Sequence, residues 1–197
     1  EAPITTGLFT RSDSNMTRPD LQFHLIEFSS PGAGQPLHRY PGFMSSVCLT
    51  RPASRGSVRI KSNDPAAAPA IQPNLLSAAS DCTVTLAGVK LARHISAQPA
   101  LARLIKAERD PGPDVLNDDA LLDWARRTAV TVYHPVGTCR MGGDERAVVD
   151  PQLRVRGVEG LRVVDGSVMP RLNSGNTNAP IMMIAEKASD LILRDAG

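Results

Sequence analysis

Aromatic side chains are scarce in this 197-residue chain: one tryptophan, two tyrosines and four phenylalanines make up only 4% of it. With so few π-faces, no polybasic block, and 22 basic residues nearly balanced by 20 acidic ones, a surface for stacking bases or tracking phosphates is not expected. The three cysteines, Cys48, Cys82 and Cys139, are far apart and odd in number, and no CxxC pair exists. That argues against a disulfide framework and a zinc ribbon, and it fits a reducing, cytoplasmic setting. Zinc at His134 and Cys139 would need further ligands. No spacing brings His24 or His38 to them, so no metal site is expected. The apolar runs fall far short of the ~20 residues that span a bilayer, and the first residues do not read as a signal peptide. A complete dinucleotide fingerprint is also missing. "SSPGAGQPLHRYPG" carries Gly32 and Gly34, but Leu37 holds the third glycine position and Pro36 would obstruct the first turn of a following helix.

What is present reads as an ordinary globular composition, 42% hydrophobic and 21% charged, with length for one large domain or one and a half. The first third is β-like. "DLQFHLIEF" predicts a mostly buried strand, and "FMSSVCLTR" sets Phe43, Val47 and Leu49 on one face. "SVRIKS" alternates, and the intervening "RPASRG" predicts that these last two runs pair as a hairpin. The middle is helical. "SDCTVTLAGVKLARHISAQ" places Val84, Ala87, Leu91 and Ile95 near helical spacing, with Ser80 as the expected N-cap and His94 on the solvated side. A second helix is capped by Asn117, has Asp118 and Asp119 at its positive end, and turns Leu121, Trp124 and Ala125 inward. In the last third "LRVVDGS" predicts a short buried strand and "NSGNTNAP" a polar turn. "IMMIAEKASDLILRD" predicts a helix with a broad apolar face through Ile181, Ile184, Ala185, Ala188, Leu191 and Ile192, with Pro180 in its first turn. The fold class expected is α+β, a mostly antiparallel sheet flanked by helices.

The segment "YHPVGTCRMGGDE", residues 133–145, holds the candidate chemistry. Cys139 beside Arg140 is either a reactive thiol or, as buried cysteines usually are, a small packed side chain. His134 lies between Tyr133 and Pro135-Val136-Gly137, a rigid then permissive backbone suited to holding a ring in one place. From the residues alone it is either a packed histidine or a poised base. Downstream, Ser174 to Asn178 gather amides and backbone N–H groups ahead of an apolar helix. That end either accepts a negatively charged ligand group or is simply a good N-cap.

"VYHPVGTCRMGG" followed by "VVDPQLRVRGVEGLRVVDGSVMPRLNSGNTNAPIMMIAEKASDLI" resembles the C-terminal signature of the glucose-methanol-choline (GMC) oxidoreductases, most closely their choline and alcohol dehydrogenase branch. Upstream, "SSVCLTRPASRGSVRIKSNDPAAAPAIQPNLLS" resembles that family's substrate-domain strands. The resemblance implies an FAD-dependent enzyme oxidising an alcohol to an aldehyde or ketone. It implies His134 as general base or alkoxide-stabilising group, with Asn176 as the second member of the pair. It also implies that Asp165 and Gly166 approach the FAD phosphates, and that Thr177, Asn178 and Pro180 pass the flavin pyrimidine edge. The domain reading that goes with it is a substrate-binding domain over 1–145 and a segment over 146–197, strand and helix, that packs on an FAD-binding domain. Since the family's amino-terminal GxGxxG is not in these residues, the chain is expected to be the carboxy-terminal part of such an enzyme and to bind FAD weakly or not at all by itself. The face covered by the missing N-terminal domain is then expected to be exposed or disordered, or buried by another copy of the chain in a homo-oligomer. The alternative is a stand-alone, non-catalytic binding module on the same scaffold. The loop at 30–42 either borders the substrate pocket or is an ordinary surface connection.

Overall fold

In the computed structural model residues 4–32 and 34–196 are described; Glu1–Pro3, Ala33 (within the loop at 30–42) and Gly197 lie outside them. Contacts group the chain into two units, Glu1–Ser54 with Leu75–Val130, and Arg55–Asn74 with Thr131–Gly197.

The first unit is built on a three-stranded antiparallel sheet, β1 (Ile4–Thr10), β2 (Leu21–Ile26) and β3 (Met44–Leu49), in that spatial order. The "DLQFHLIEF" run is the central strand, with Leu21 and Phe23 buried as its pattern requires. Helix α1 (Ala79–Ser96) packs on β3, closely enough that a Cβ on Gly88 would lie 2.4 Å from Val47 Cγ1 and 3.1 Å from Leu21 Cδ2. After the single turn α2 (Pro99–Ala102), helix α3 (Asp118–Thr128) packs on α1 with Leu121 and Ala125 buried and Trp124 half-buried. Asn117 caps α3 as expected, its side chain accepting from the Ala120 N–H at 2.8 Å.

Two expectations fail here for one shared reason. β3 does not form a hairpin with "SVRIKS". It pairs along its whole length with β2, from Leu21↔Leu49 to Ile26↔Met44. Ser80 does not cap α1, which starts two residues earlier than that cap implies, at Ala79 behind Ala78, without a side-chain cap. The Asp81 carboxylate in the first turn of α1 accepts from the backbone N–H groups of Ala53 and Ser54, both at 2.8 Å. This draws the "RPASRG" segment onto the positive end of the helix instead of letting it turn back on β3.

In the second unit β4 (Ser57–Arg59) pairs with β5 (Ala70–Gln72). The rest is organised around one apolar cluster: Val149, Leu153, Val168, Met169, Ile184 and Ala188, with Val136, Met141, Val163 and Ile181 packed against it. Helix α4 (Asn178–Ala196) contributes its share through a narrower stripe than expected. Ile184 and Ala188 are buried, but Ala185 and Ile192 are exposed. "LRVVDGS" is not a strand. It makes one isolated antiparallel bridge, Arg154↔Arg162, and then a 3₁₀ turn over Gly166–Val168. Asp165 accepts from the Ser167 N–H at 2.7 Å, which closes that turn and ends any extended run. Among the described residues no helix is long and apolar enough to cross a membrane.

Candidate active site

His134 is held by backbone conformation before any side chain acts on it. Tyr133 has φ of 62° and Gly137 φ of 92°, so two left-handed residues bracket the His134-Pro135-Val136 segment. For an exposed tyrosine that conformation is unfavourable, and it is sustained here by the fixed segment that follows. Val136 packs on the apolar cluster. Beyond it the Cys139 N–H donates to the Ser167 carbonyl at 3.0 Å and the Met141 N–H to Val168 at 2.8 Å. The 139–141 segment is thus laced to the 3₁₀ turn, while α4 packs on the same cluster through Ile181, Ile184 and Ala188. One small core carries both halves of the site.

Both ring nitrogens of His134 are engaged. Nδ1 lies 2.8 Å from Thr177 Oγ1, and the Asn176 side-chain Nδ2 lies 2.9 Å from Nε2. His134 is half-buried, Thr177 is 5% exposed and Asn176 is exposed, so the ring is fixed on its inner side and open on its outer one. The turn that delivers Asn176 is itself braced, because the Asn173 side-chain amide donates to the Asn176 carbonyl at 3.0 Å. Asn173 Oδ1 is buried and has no hydrogen-bond partner among the described residues. The pattern of residues alone gives no sign of these contacts: that of Asn173 depends on how the turn folds back on itself, and that of Thr177 on a segment 43 residues away.

The other residues implied by resemblance lie on the same unit. Gly166 is buried against α4, where a Cβ would come within 2.9 Å of the Ile181 side-chain tip, Cδ1. Asp165 is exposed and spends one carboxylate oxygen on Ser167. Pro180 is the third residue of α4, and the Ile181 N–H closes the first helical bond onto the Thr177 carbonyl at 3.0 Å. Among the described residues nothing accepts from the backbone N–H of Asn178 or Ala179. Cys139 is a half-buried free thiol. Arg140 grips Asp144 through two guanidinium nitrogens at 2.9 and 2.6 Å, which holds that carboxyl well below the usual carboxylate range. Burial opposes the charge on Asp150, yet the backbone N–H groups of Arg154 and Gln152 and the Arg154 guanidinium hold it below the usual range too. These pairs brace the 140–156 loop that leads away from the site. Among the described residues no group of three or more His, Cys, Asp or Glu is placed to hold a metal ion.

Comparison with known proteins bears directly on this geometry. The model of the GMC oxidoreductase family matches residues 52–185. The alcohol dehydrogenase [acceptor] of Pseudomonas putida is 44% identical over 189 residues, which is 96% of this chain and 34% of that protein. The choline oxidase of Arthrobacter globiformis is 43% identical over 195 residues, 94% of this chain and 35% of that protein. Among solved structures, pyridoxine 4-oxidase from Mesorbium loti superposes with a TM-score of 0.84 at 30% identity, covering 95% of this chain and 37% of that one. The chain spans about a third of the length of the curated relatives it matches.

Proposed function

The chain belongs to the GMC oxidoreductase family, and from that premise we propose that it is the carboxy-terminal part of an FAD-dependent enzyme that oxidises a primary or secondary alcohol to an aldehyde or ketone. The observation that carries this reading is the contact between Asn176 Nδ2 and His134 Nε2 at 2.9 Å. It sets an amide donor and an imidazole nitrogen side by side on the open side of the ring. An alcohol hydroxyl that replaces this contact finds both partners it needs: its oxygen accepts from the Asn176 amide, and its proton passes to His134 Nε2. A neutral amide orients the oxygen without competing for the proton, and a positioned base of this kind contributes typically ~10²–10⁴-fold.

FAD, when bound, supplies the hydride acceptor. The residues present suit it. The Asn178 and Ala179 N–H groups, without acceptors among the described residues, stand at the positive end of a 19-residue helix, which favours an electron-rich ring edge. Asp165, Gly166, Thr177, Asn178 and Pro180 would line that cofactor, and the 146–197 segment would pack on the domain that grips its ADP half. Names of relatives support alcohols as the substrate class, and a cytoplasmic location remains part of the same proposal.

The test uses the complete FAD-loaded enzyme under anaerobic conditions, with a panel of primary and secondary alcohols that includes choline. Bleaching of the oxidised flavin band by at least one of them is expected. A flavin that stays oxidised throughout, while dithionite reduces it, would remove alcohol oxidation from the account.

A further inference from the structure

We propose that Thr177 is a positioning residue that, together with the Asn176 amide donating to Nε2, holds His134 in the tautomer with its ring proton on Nδ1, so that Nε2 keeps its lone pair for the substrate. The inference rests on the reading of His134 as the base, but its geometry stands independently. The Asn176 side-chain nitrogen can only donate, so the Nε2 that it meets at 2.9 Å is the acceptor. The single proton of a neutral ring then sits on Nδ1, and Thr177 Oγ1, 2.8 Å away, accepts it.

A threonine just before a helix ordinarily spends its hydroxyl oxygen on the N–H of the second or third helical residue. Here the third residue is Pro180, which has no N–H, and Ala179 makes no such bond. The helix start therefore leaves the Thr177 oxygen available, and at 5% exposure water does not compete for it. The Thr177 carbonyl accepts from Ile181 N–H, which ties the hydroxyl to the rigid first turn of α4 rather than to a mobile side-chain position. The combination Thr-Asn-Ala-Pro thus converts a helix cap into a tautomer lock for a histidine 43 residues away.

The test is a two-bond proton–nitrogen correlation spectrum of the full chain with ¹⁵N-labelled histidine, recorded at alkaline pH, which reads the tautomer directly. His134 in the wild type is expected to show a protonated, pyrrole-type Nδ1 and a pyridine-type Nε2. Thr177→Ser keeps that pattern, and Thr177→Val shifts the population toward Nε2–H by roughly five- to tenfold, the size of one hydrogen bond. A wild-type ring protonated at Nε2, or a Thr177→Val spectrum like that of the wild type, would overturn the proposal, and the wild-type spectrum decides even if the valine variant does not fold. In the complete FAD-loaded enzyme, Thr177→Val should slow flavin reduction by a similar factor with KM little changed and rescue by serine. An Nδ1–H tautomer that is lost in Thr177→Val without any change in that rate leaves the lock standing and sinks the assignment of His134 as base.

Discussion

Replacing Asp81 by alanine should unfold the first unit more easily than any conservative surface change in it. The carboxylate is 4% exposed and accepts two backbone N–H bonds at 2.8 Å, from Ala53 and Ser54. Hydrogen bonds to a charged group contribute roughly 1.5–3 kcal/mol each, so losing both costs about 3–6 kcal/mol. That is a large part of the ~5–15 kcal/mol that holds a typical domain together. The single tryptophan, Trp124 on α3, lies in the same unit and reports its unfolding by fluorescence. With a urea slope of about 2 kcal/mol per molar, the midpoint should fall by about 1.5–3 M. Burial acts to raise the Asp81 pKa, but hydrogen bonds from Ser54, Ala53 and Ser80 outweigh it and the group titrates below its ordinary value. A depressed folded pKa means that this stabilisation is complete above the unfolded value of about 3.9 and is lost as pH falls through the folded one. Wild-type stability should therefore drop below about pH 4, and Asp81→Asn should flatten that drop while lowering stability at neutral pH. An Asp81→Ala midpoint within 0.3 M of wild type, roughly the error of such an extrapolation, would refute the tether between α1 and the 53–54 segment.

Gly88→Val should lower the melting temperature, because a Cβ there already collides with Val47 Cγ1 at 2.4 Å. Overpacking of this kind costs about 1–3 kcal/mol, and an unchanged or raised melting point would contradict the α1–β3 approach. Asn117→Ala should cost about 1 kcal/mol through loss of the bond to Ala120 N–H. Ser80→Ala should change urea stability by less than about 0.5 kcal/mol, since that residue lies inside α1 and caps nothing; a loss equal to that of Asn117→Ala would restore it as the cap.

Local signals in the sequence suffice where a residue acts on its own neighbourhood. Asn117 three residues before Ala120, the inward Leu121 and Ala125, and the alternation around Leu21 and Phe23 all needed only periodicity and cap chemistry. What failed depended on distant partners. Nothing in "RPASRG" shows that Asp81 will seize its N–H groups, so the residues alone point to a hairpin that the β2–β3 pairing replaces. The apolar run before Asp165 looked like a strand because the Asp165–Ser167 closure is a matter of turn geometry. The α4 face came out narrower because Ala185 and Ile192, apolar by type, lie outside the stripe that meets the cluster. At the site, His134 stands out from the residues alone, and its pairing with Asn176 rests on resemblance to a family signature, whereas the Thr177 contact depends on Pro180 removing the usual partner of a capping hydroxyl.

The central claim is that His134 takes the alcohol proton, and stopped-flow reduction of the flavin in the complete enzyme, wild type against His134→Ala, tests it most directly. With FAD retained in both, the variant should be reduced by saturating alcohol ~10²–10⁴-fold more slowly. Equal reduction rates at full flavin occupancy would contradict the account.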